Sequence, residues 1–268
     1  MPASPGSLIK LVVHARGALS SLAVQPQPGQ TGATLRVQSV GLNFRDVLNV
    51  LGMYPGDPGP PGGDCAGTMS AVGGVHCMDV LGLAHASLRS YAATDQRLLA
   101  AMPEVWSYEE ASAMPTVWAT AWMCLEELVG VASGEGVLVQ AATGGVGLVA
   151  TRCAHRAGGK VYVTVGRASK RAYLRCVVDV CMVSTTRDSA VFVSEIGAVL
   201  DGQLGAVLNS MTHGEYIQGA AAMLGEGGQF VEIGKRGIGS RSQMAHPSGR
   251  YAVVAMDRQC GLDQTLHQ

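Results

Sequence analysis

Residues 136–170 read GVLVQAATGGVGLVATRCAHRAGGKVYVTVGRASK, and the order of apolar runs and glycines in them decides the fold. A short apolar run, Val137–Gln140, ends in a glycine turn, Ala142-x-Gly144-x-x-Gly147. The turn opens a helical segment, Val146–Ala157, and a second β-type run follows at Lys160–Val165. Strand, loop, helix and strand at this spacing form the dinucleotide-binding fingerprint in an alanine-led variant. Gly144 lets the backbone approach a pyrophosphate and Gly147 lets helix and strand pack closely. The free N–H groups and positive end of the helix would hold the phosphate charge. The expected contacts are Ala142, Thr143, Gly144, Gly145, Val146 and Gly147. A tight βα turn in another α/β protein would present the same glycines, so that alternative stays open.

The end of the second strand selects the cofactor. Enzymes that use NAD commonly place Asp or Glu there, about 20 residues after the glycines, to bind the ribose hydroxyls. Lys160–Lys170 contains no acid, and the strand runs into Gly166-Arg167-Ala168-Ser169-Lys170-Arg171. Arg167, Ser169 and Lys170 suit the extra 2′-phosphate of NADPH, which becomes the expected cofactor. A solvated helix face carrying Lys170, Arg171 and Arg175 is the alternative reading of the same charges.

Outward from this unit, βα alternation continues. Helix Ser169–Cys176, strand Val180–Val183, helix Ser189–Leu200, strand Ala206–Leu208, helix Glu215–Leu224 and strand Gln229–Ile233 are predicted. Apolar strands alternating with helices predict a parallel, doubly wound sheet covered on both faces. Upstream, Ser107 and Glu110 form a capping box ahead of a short helix, and Pro115–Glu127 reads as another helix opened by proline. Before residue 100 the pattern is β-type, with a strand at Ala33–Val40 and an apolar stretch at Val80–Ala84. Between them Gly52–Gly67 holds six glycines and four prolines and reads as an irregular loop. The expected architecture is α/β: residues 1–112 as a β-rich domain, then residues 113–268 as a Rossmann domain.

Composition narrows the function classes. Glycine supplies 36 of 268 residues, charged residues 15% and hydrophobic residues 47%, enough apolar material for a sizeable core. The formal net charge is -1 with basic and acidic residues interspersed, which argues against a nucleic-acid surface. No run approaches the ~20 apolar residues of a membrane span, and no signal peptide is evident, so no membrane partner is expected. Seven scattered cysteines without a Cys-x-x-Cys pair argue against a disulfide framework or a structural zinc site. A cytoplasmic location and no metal are expected. Neither G-x-S-x-G nor H-E-x-x-H occurs.

Gly41–Gly67 (GLNFRDVLNVLGMYPGDPGPPGGDCAG), AATGGVG, VLNSM at Val207–Met211 and GGQFVEIGK at Gly227–Lys235 resemble the enoyl reductase domain of type I polyketide synthases and animal-type fatty acid synthases. These domains belong to the zinc-free, quinone-oxidoreductase-like branch of the medium-chain dehydrogenase/reductases. The resemblance runs from about Val12 to Asp257. It implies a GroES-like substrate domain ahead of the Rossmann domain, and NADPH-dependent reduction of the Cα=Cβ bond of an enoyl thioester on acyl carrier protein. It further implies other synthase domains as partners and pairing of two copies into a homodimer through the Rossmann sheet edge.

By the same resemblance Tyr54 is a proton donor, Lys235 a lysine near the reacting carbons and Asp257 its pairing aspartate. Asn43, Thr120 and Asn209 line the nicotinamide and substrate cleft, each equally readable as a capping or turn residue, and Gly234 contacts the cofactor. As plain residues, Tyr54 would pack over the prolines, Lys235 would be a cation after a strand, and Asp257 a surface carboxylate. Family members continue past that aspartate through a further helix and strand and back to the first domain, so the Rossmann part is expected to be truncated. Gly73–Leu83 is also shorter than the family's loop. A free-standing NADPH:quinone or alkenal reductase and a non-catalytic structural domain are the alternatives.

Overall fold

The structure, a computed structural model, describes residues 8–28, 34–70, 77–211, 214–235, 238, 244 and 249–256. They divide into two compact units, one ending at Thr116 and regaining the chain at Met256, the other spanning Val117–Ala255.

The first unit contains β1 (Ile9–Val13), β2 (Leu22–Pro26), β3 (Thr34–Gly41), α1 (Phe44–Val50), β4 (Asp64–Ser70), β5 (Cys77–Leu83), β6 (Tyr91–Ala93), β7 (Leu99–Ala101) and α2 (Tyr108–Ser112). Strands β6-β3-β4-β5-β7 form an antiparallel sheet, and β1 and β2 pair separately. Leu35, Cys65, Val80, Ala84 and Ala92 make its core. Alternation along each strand sends these side chains to one face. The Ser107 capping box is present as expected, with Glu110 N–H donating to Ser107 Oγ and Ser107 N–H to Glu110 Oε2.

Helix α3 (Pro115–Trp122) contains the division between the units. The second unit continues through β8 (Gly136–Val139), α4 (Gly145–Arg156), β9 (Lys160–Val165), α5 (Ala168–Val177), β10 (Met182–Thr185) and α6 (Ser189–Val199). Strand β11 (Leu204–Asn209), α7 (Gly214–Ala222), β12 (Leu224–Glu232) and β13 (Arg250–Val253) complete it. The sheet is parallel throughout, in the order β10-β9-β8-β11-β12-β13. Counted from β8 this is 3-2-1-4-5-6, the dinucleotide-binding order, and strand order reverses between β8 and β11. Leu138, Tyr162, Phe192, Ile196, Val207, Tyr216 and Phe230 are buried together on one side of the sheet, with the Phe192 and Tyr216 rings stacked at 5.4 Å.

Several boundaries differ from the sequence reading. The loop expected to run to Gly67 stops at Gly63, because Asp64–Ser70 pairs with both β3 and β5. The single helix expected over Pro115–Glu127 widens into a π-helical segment, Met123–Val129, closed by Gly130 at φ 65°. Strand Val180–Val183 lies two residues later, where its neighbour β9 offers partners from Tyr162 to Val165. Leu224, expected to end a helix, instead opens β12 by pairing with Leu204.

Candidate functional site

At the β8–α4 junction the fingerprint glycines carry distinct steric demands. A Cβ on Gly147 would lie 2.6 Å from Ala141 O and 2.7 Å from Ala142 Cα, so only glycine fits without moving the turn. A Cβ on Gly144 would meet nothing nearer than Ala141 O at 3.4 Å, leaving the outer side of the turn open. The turn is anchored to the next strand: Ala141 N–H donates to Thr164 Oγ1 (3.0 Å) and Ala142 N–H to Thr164 O (3.0 Å). Ala141 adopts φ 50°, a conformation non-glycine residues enter only when their surroundings hold them there. Gly144 is the N-cap of α4 and, having no side chain, cannot cap it. The first N–H groups of a 12-residue helix therefore face an open turn, which suits a pyrophosphate. The residues fit a dinucleotide.

Gly166, Arg167, Ser169 and Lys170 lie where β9 passes into α5, with Arg167, Ser169 and Lys170 exposed. The structure adds a residue that sequence reading missed. Arg187, from the turn after β10, donates from Nε to Gly166 O (3.4 Å), so a second guanidinium stands at the end of β9. Adjacent parallel strands bring it there, and its separation of 20 residues from Arg167 hid it in the linear pattern.

At the same carboxyl edge, across the point where strand order reverses, Asn209 ends β11 and Glu232 ends β12. Asn209 Nδ2 donates to Glu232 Oε2 (2.5 Å) and to Met211 O (3.0 Å), while Gly234 N–H donates to Glu232 Oε1 (2.6 Å). Glu232 is buried, and burial raises its carboxyl above the usual range although both donors oppose the shift. Gly234 and half-buried Lys235 follow directly. Gln140, directly after the strand next to β11, is also buried, and neither of its amide atoms has a hydrogen-bond partner among the described residues. Thr120 is buried in α3.

In the first unit the Asn-Phe-Arg-Asp motif builds a scaffold under the glycine- and proline-rich loop. Asp46 Oδ2 accepts from Asn43 N–H (2.9 Å) at the start of α1, and Asp46 Oδ1 accepts from Gly62 N–H (2.8 Å). Arg45 donates to Pro58 O (2.5 Å) and its guanidinium lies over the Tyr54 ring, 5.6 Å from the centroid. Arg45 thereby joins the two motifs. Asn43 Nδ2 donates to Asp64 Oδ2 (3.0 Å), and Asp64 Oδ1 accepts from the N–H and hydroxyl of Thr116 (3.0 and 2.5 Å). Burial pushes the Asp64 carboxyl up to about 6 against these hydrogen bonds.

The expected residues thus fall into two groups. Asn43 and Tyr54 belong to the first unit, and Thr120, the 142–147 turn, Arg167, Ser169, Lys170, Asn209, Gly234 and Lys235 to the second. Asp257 and part of the shortened Gly73–Leu83 stretch lie outside the described residues. Among the described residues no group of His, Cys, Asp and Glu could hold a metal ion. No helix among them is long and apolar enough to cross a membrane.

A GroES-like unit joined to a 3-2-1-4-5-6 Rossmann sheet with this glycine turn defines a medium-chain dehydrogenase/reductase. The CurK enoyl reductase crystal structure has a TM-score of 0.86 and 30% identity, covering 96% of this chain and 83% of that one. The CurF ER cyclopropanase of the curacin A pathway follows with a TM-score of 0.87 and 27% identity, covering 97% and 85%. The chain belongs to the enoyl reductase family of type I polyketide synthases.

Erythronolide synthase EryA2 of Saccharopolyspora erythraea is 38% identical over 254 residues, which is 90% of this chain and 7% of that protein. The phenolphthiocerol synthesis polyketide synthase Pks1 of Mycobacterium tuberculosis, whose name calls it inactive, is 34% identical over 90% of this chain and 16% of its own length. The chain thus corresponds to a small part of these curated relatives. A quinone oxidoreductase of Pseudomonas syringae shares the fold (TM-score 0.79, 19% identity, covering 95% of this chain and 83% of that one). No family model matches the sequence.

Proposed function

We propose that the chain is an NADPH-dependent enoyl reductase domain acting on an enoyl thioester carried by acyl carrier protein in polyketide synthesis. The observation that carries this reading is the steric split in the Ala142–Gly147 turn, where Gly147 seals helix to strand and Gly144 leaves the phosphate side open. The first unit then serves as substrate domain and the second as cofactor domain.

Bound NADPH supplies a hydride for Cβ of the double bond. The protein's residues do the rest. The N–H groups of Gly145, Val146 and Gly147 would hold the pyrophosphate, and Arg167, Ser169, Lys170 and Arg187 would take the 2′-phosphate. Reduction of the double bond would place negative charge on the thioester oxygen, which a cation or donor already in place would stabilise. Lys235 fills that role, with Asp257 as its pairing carboxylate. Tyr54 or Lys235 then delivers the proton to Cα. Other synthase domains and a second copy of the chain are its partners, in the cytoplasm.

Turnover with a carrier-linked enoyl thioester, followed by NADPH absorbance, tests the reading. Oxidation that requires the thioester supports it. Oxidation with quinones alone points to a quinone reductase, and binding without any turnover points to a structural domain. In the same assay Arg167→Ala and Arg187→Ala should each weaken NADPH binding roughly tenfold or more, the value of one lost charge-assisted contact, and leave NADH binding unchanged.

A further inference from the structure

The turn after β12 is pinned from several sides. Glu232 O accepts from Val254 N–H (2.8 Å), Ile233 N–H donates to Asn209 O (2.8 Å), and the Glu232 carboxylate takes one donor from Asn209 and one from Gly234. Both carboxylate bonds are short, 2.5 and 2.6 Å, and Glu232 is 2% exposed. A buried carboxylate holding two donors in fixed directions is a rigid bracket. Its second donor is the backbone of the residue before Lys235. The bracket also reaches the loop after β11, because Asn209 Oδ1 accepts from Met211 N–H (3.2 Å) and Nδ2 donates to Met211 O.

We propose that Glu232 is a positioning residue for Lys235: by bonding Asn209 and Gly234 at once, its carboxylate fixes the turn that presents the lysine at the carboxyl edge of the sheet. A glutamine in its place has one accepting oxygen for two donors and turns an amide N–H₂ toward one of them. The turn then relaxes and Lys235 moves. The catalytic consequence of that movement rests on the enoyl reductase reading, since proton delivery and oxyanion stabilisation are sensitive to displacements near 1 Å. The movement itself does not rest on it.

The chain contains only four lysines, Lys10, Lys160, Lys170 and Lys235, so ¹³C-dimethylation yields four lysine signals beside that of the N-terminal amine. Lys235→Arg assigns the one that matters. In Glu232→Gln, and in the milder Glu232→Asp, which keeps the charge but is one methylene short of spanning both donors, the Lys235 signal should shift while the other three hold still. In turnover, kcat should fall at least tenfold with the NADPH dissociation constant changed less than threefold. The Glu232→Gln/Lys235→Ala double variant should be no slower than Lys235→Ala alone, because a residue acting through the lysine has nothing left to position. An unmoved Lys235 signal in the folded variants, or multiplicative losses in the double variant, overturns the proposal. Absence of wild-type turnover with the Lys235 shift intact overturns the enoyl reductase reading and leaves the bracket standing.

Discussion

Gly144 and Gly147 lie one helical turn apart and lack side chains for opposite reasons. Gly147→Ala drives a Cβ into the backbone of Ala141 and Ala142, so it should destabilise the second unit by about 1–3 kcal/mol, the usual cost of overpacking. Gly144→Ala meets only ordinary packing and should change stability by less than about 0.5 kcal/mol, while weakening NADPH binding by closing the phosphate side. Denaturant titration beside cofactor titration separates the two effects. The asparagines teach a different lesson. Asn43 and Asn209, read as cleft-lining, capping or turn residues, each give an amide N–H to a buried carboxylate, Asp64 or Glu232. Sequence reading placed the glycines because their requirement is local. It missed Asp64, Glu232 and Arg187 because each bonds a partner 21 or more residues away in the chain: Asn43, Asn209 and Gly166.

At the scale of elements, the loop from Gly52 to Gly63 is irregular, as its composition implies. Its glycines and prolines forbid regular pairing, but side chains from outside hold it. Arg16 donates to Asp57 Oδ1 (2.8 Å), Gly59 O (3.3 Å) and Asn49 Oδ1 (3.1 Å), and Asn49 Nδ2 donates to Gly59 O (3.0 Å). Asp46 and Arg45 hold the loop from α1. Arg16→Ala removes three of these bonds together. Limited proteolysis should then cut the loop at least several-fold faster than in the wild type, because loop opening sets the rate of cleavage. Cleavage at the wild-type rate would show that α1 alone suffices. The βα elements were read in their correct order, and Lys160–Val165 residue for residue, since burial on both faces leaves long apolar runs. The small strands β1, β2, β6, β7 and β13 escaped because three to five residues carry too little periodicity.

For the whole molecule, stability should carry an unusual acid signature. Asp64 has its carboxyl raised to about 6 in the fold from 3.8, so the native state binds the extra proton between roughly pH 4 and 6. Stability therefore falls as pH rises through that window, by at most about 3 kcal/mol for the first unit. Asp64→Asn cannot titrate, so its denaturation midpoint should lack this decline, and urea titrations at pH 4, 5, 6 and 7 on both proteins check it. A wild-type profile parallel to that of Asp64→Asn would show the carboxylate is already ionised at pH 4. Burial carries weight elsewhere too. Phe192 is fully buried against Tyr216, and Phe192→Ala should destabilise the second unit by about 3–5 kcal/mol, read as a lower unfolding temperature.

The amino-acid sequence by itself determined the class of architecture, the glycine turn between β8 and α4 and the basic residues after β9. Each depends on neighbours within one βα unit, where spacing along the chain is spacing in space. Only the tertiary structure decided what the polar residues of the motifs do. Asn43, Asp46, Asp64, Asn209 and Glu232 acquire their roles from hydrogen bonds that close across strands and loops. A buried carboxylate is stable only where the fold supplies its donors, and no local pattern records which donors those are.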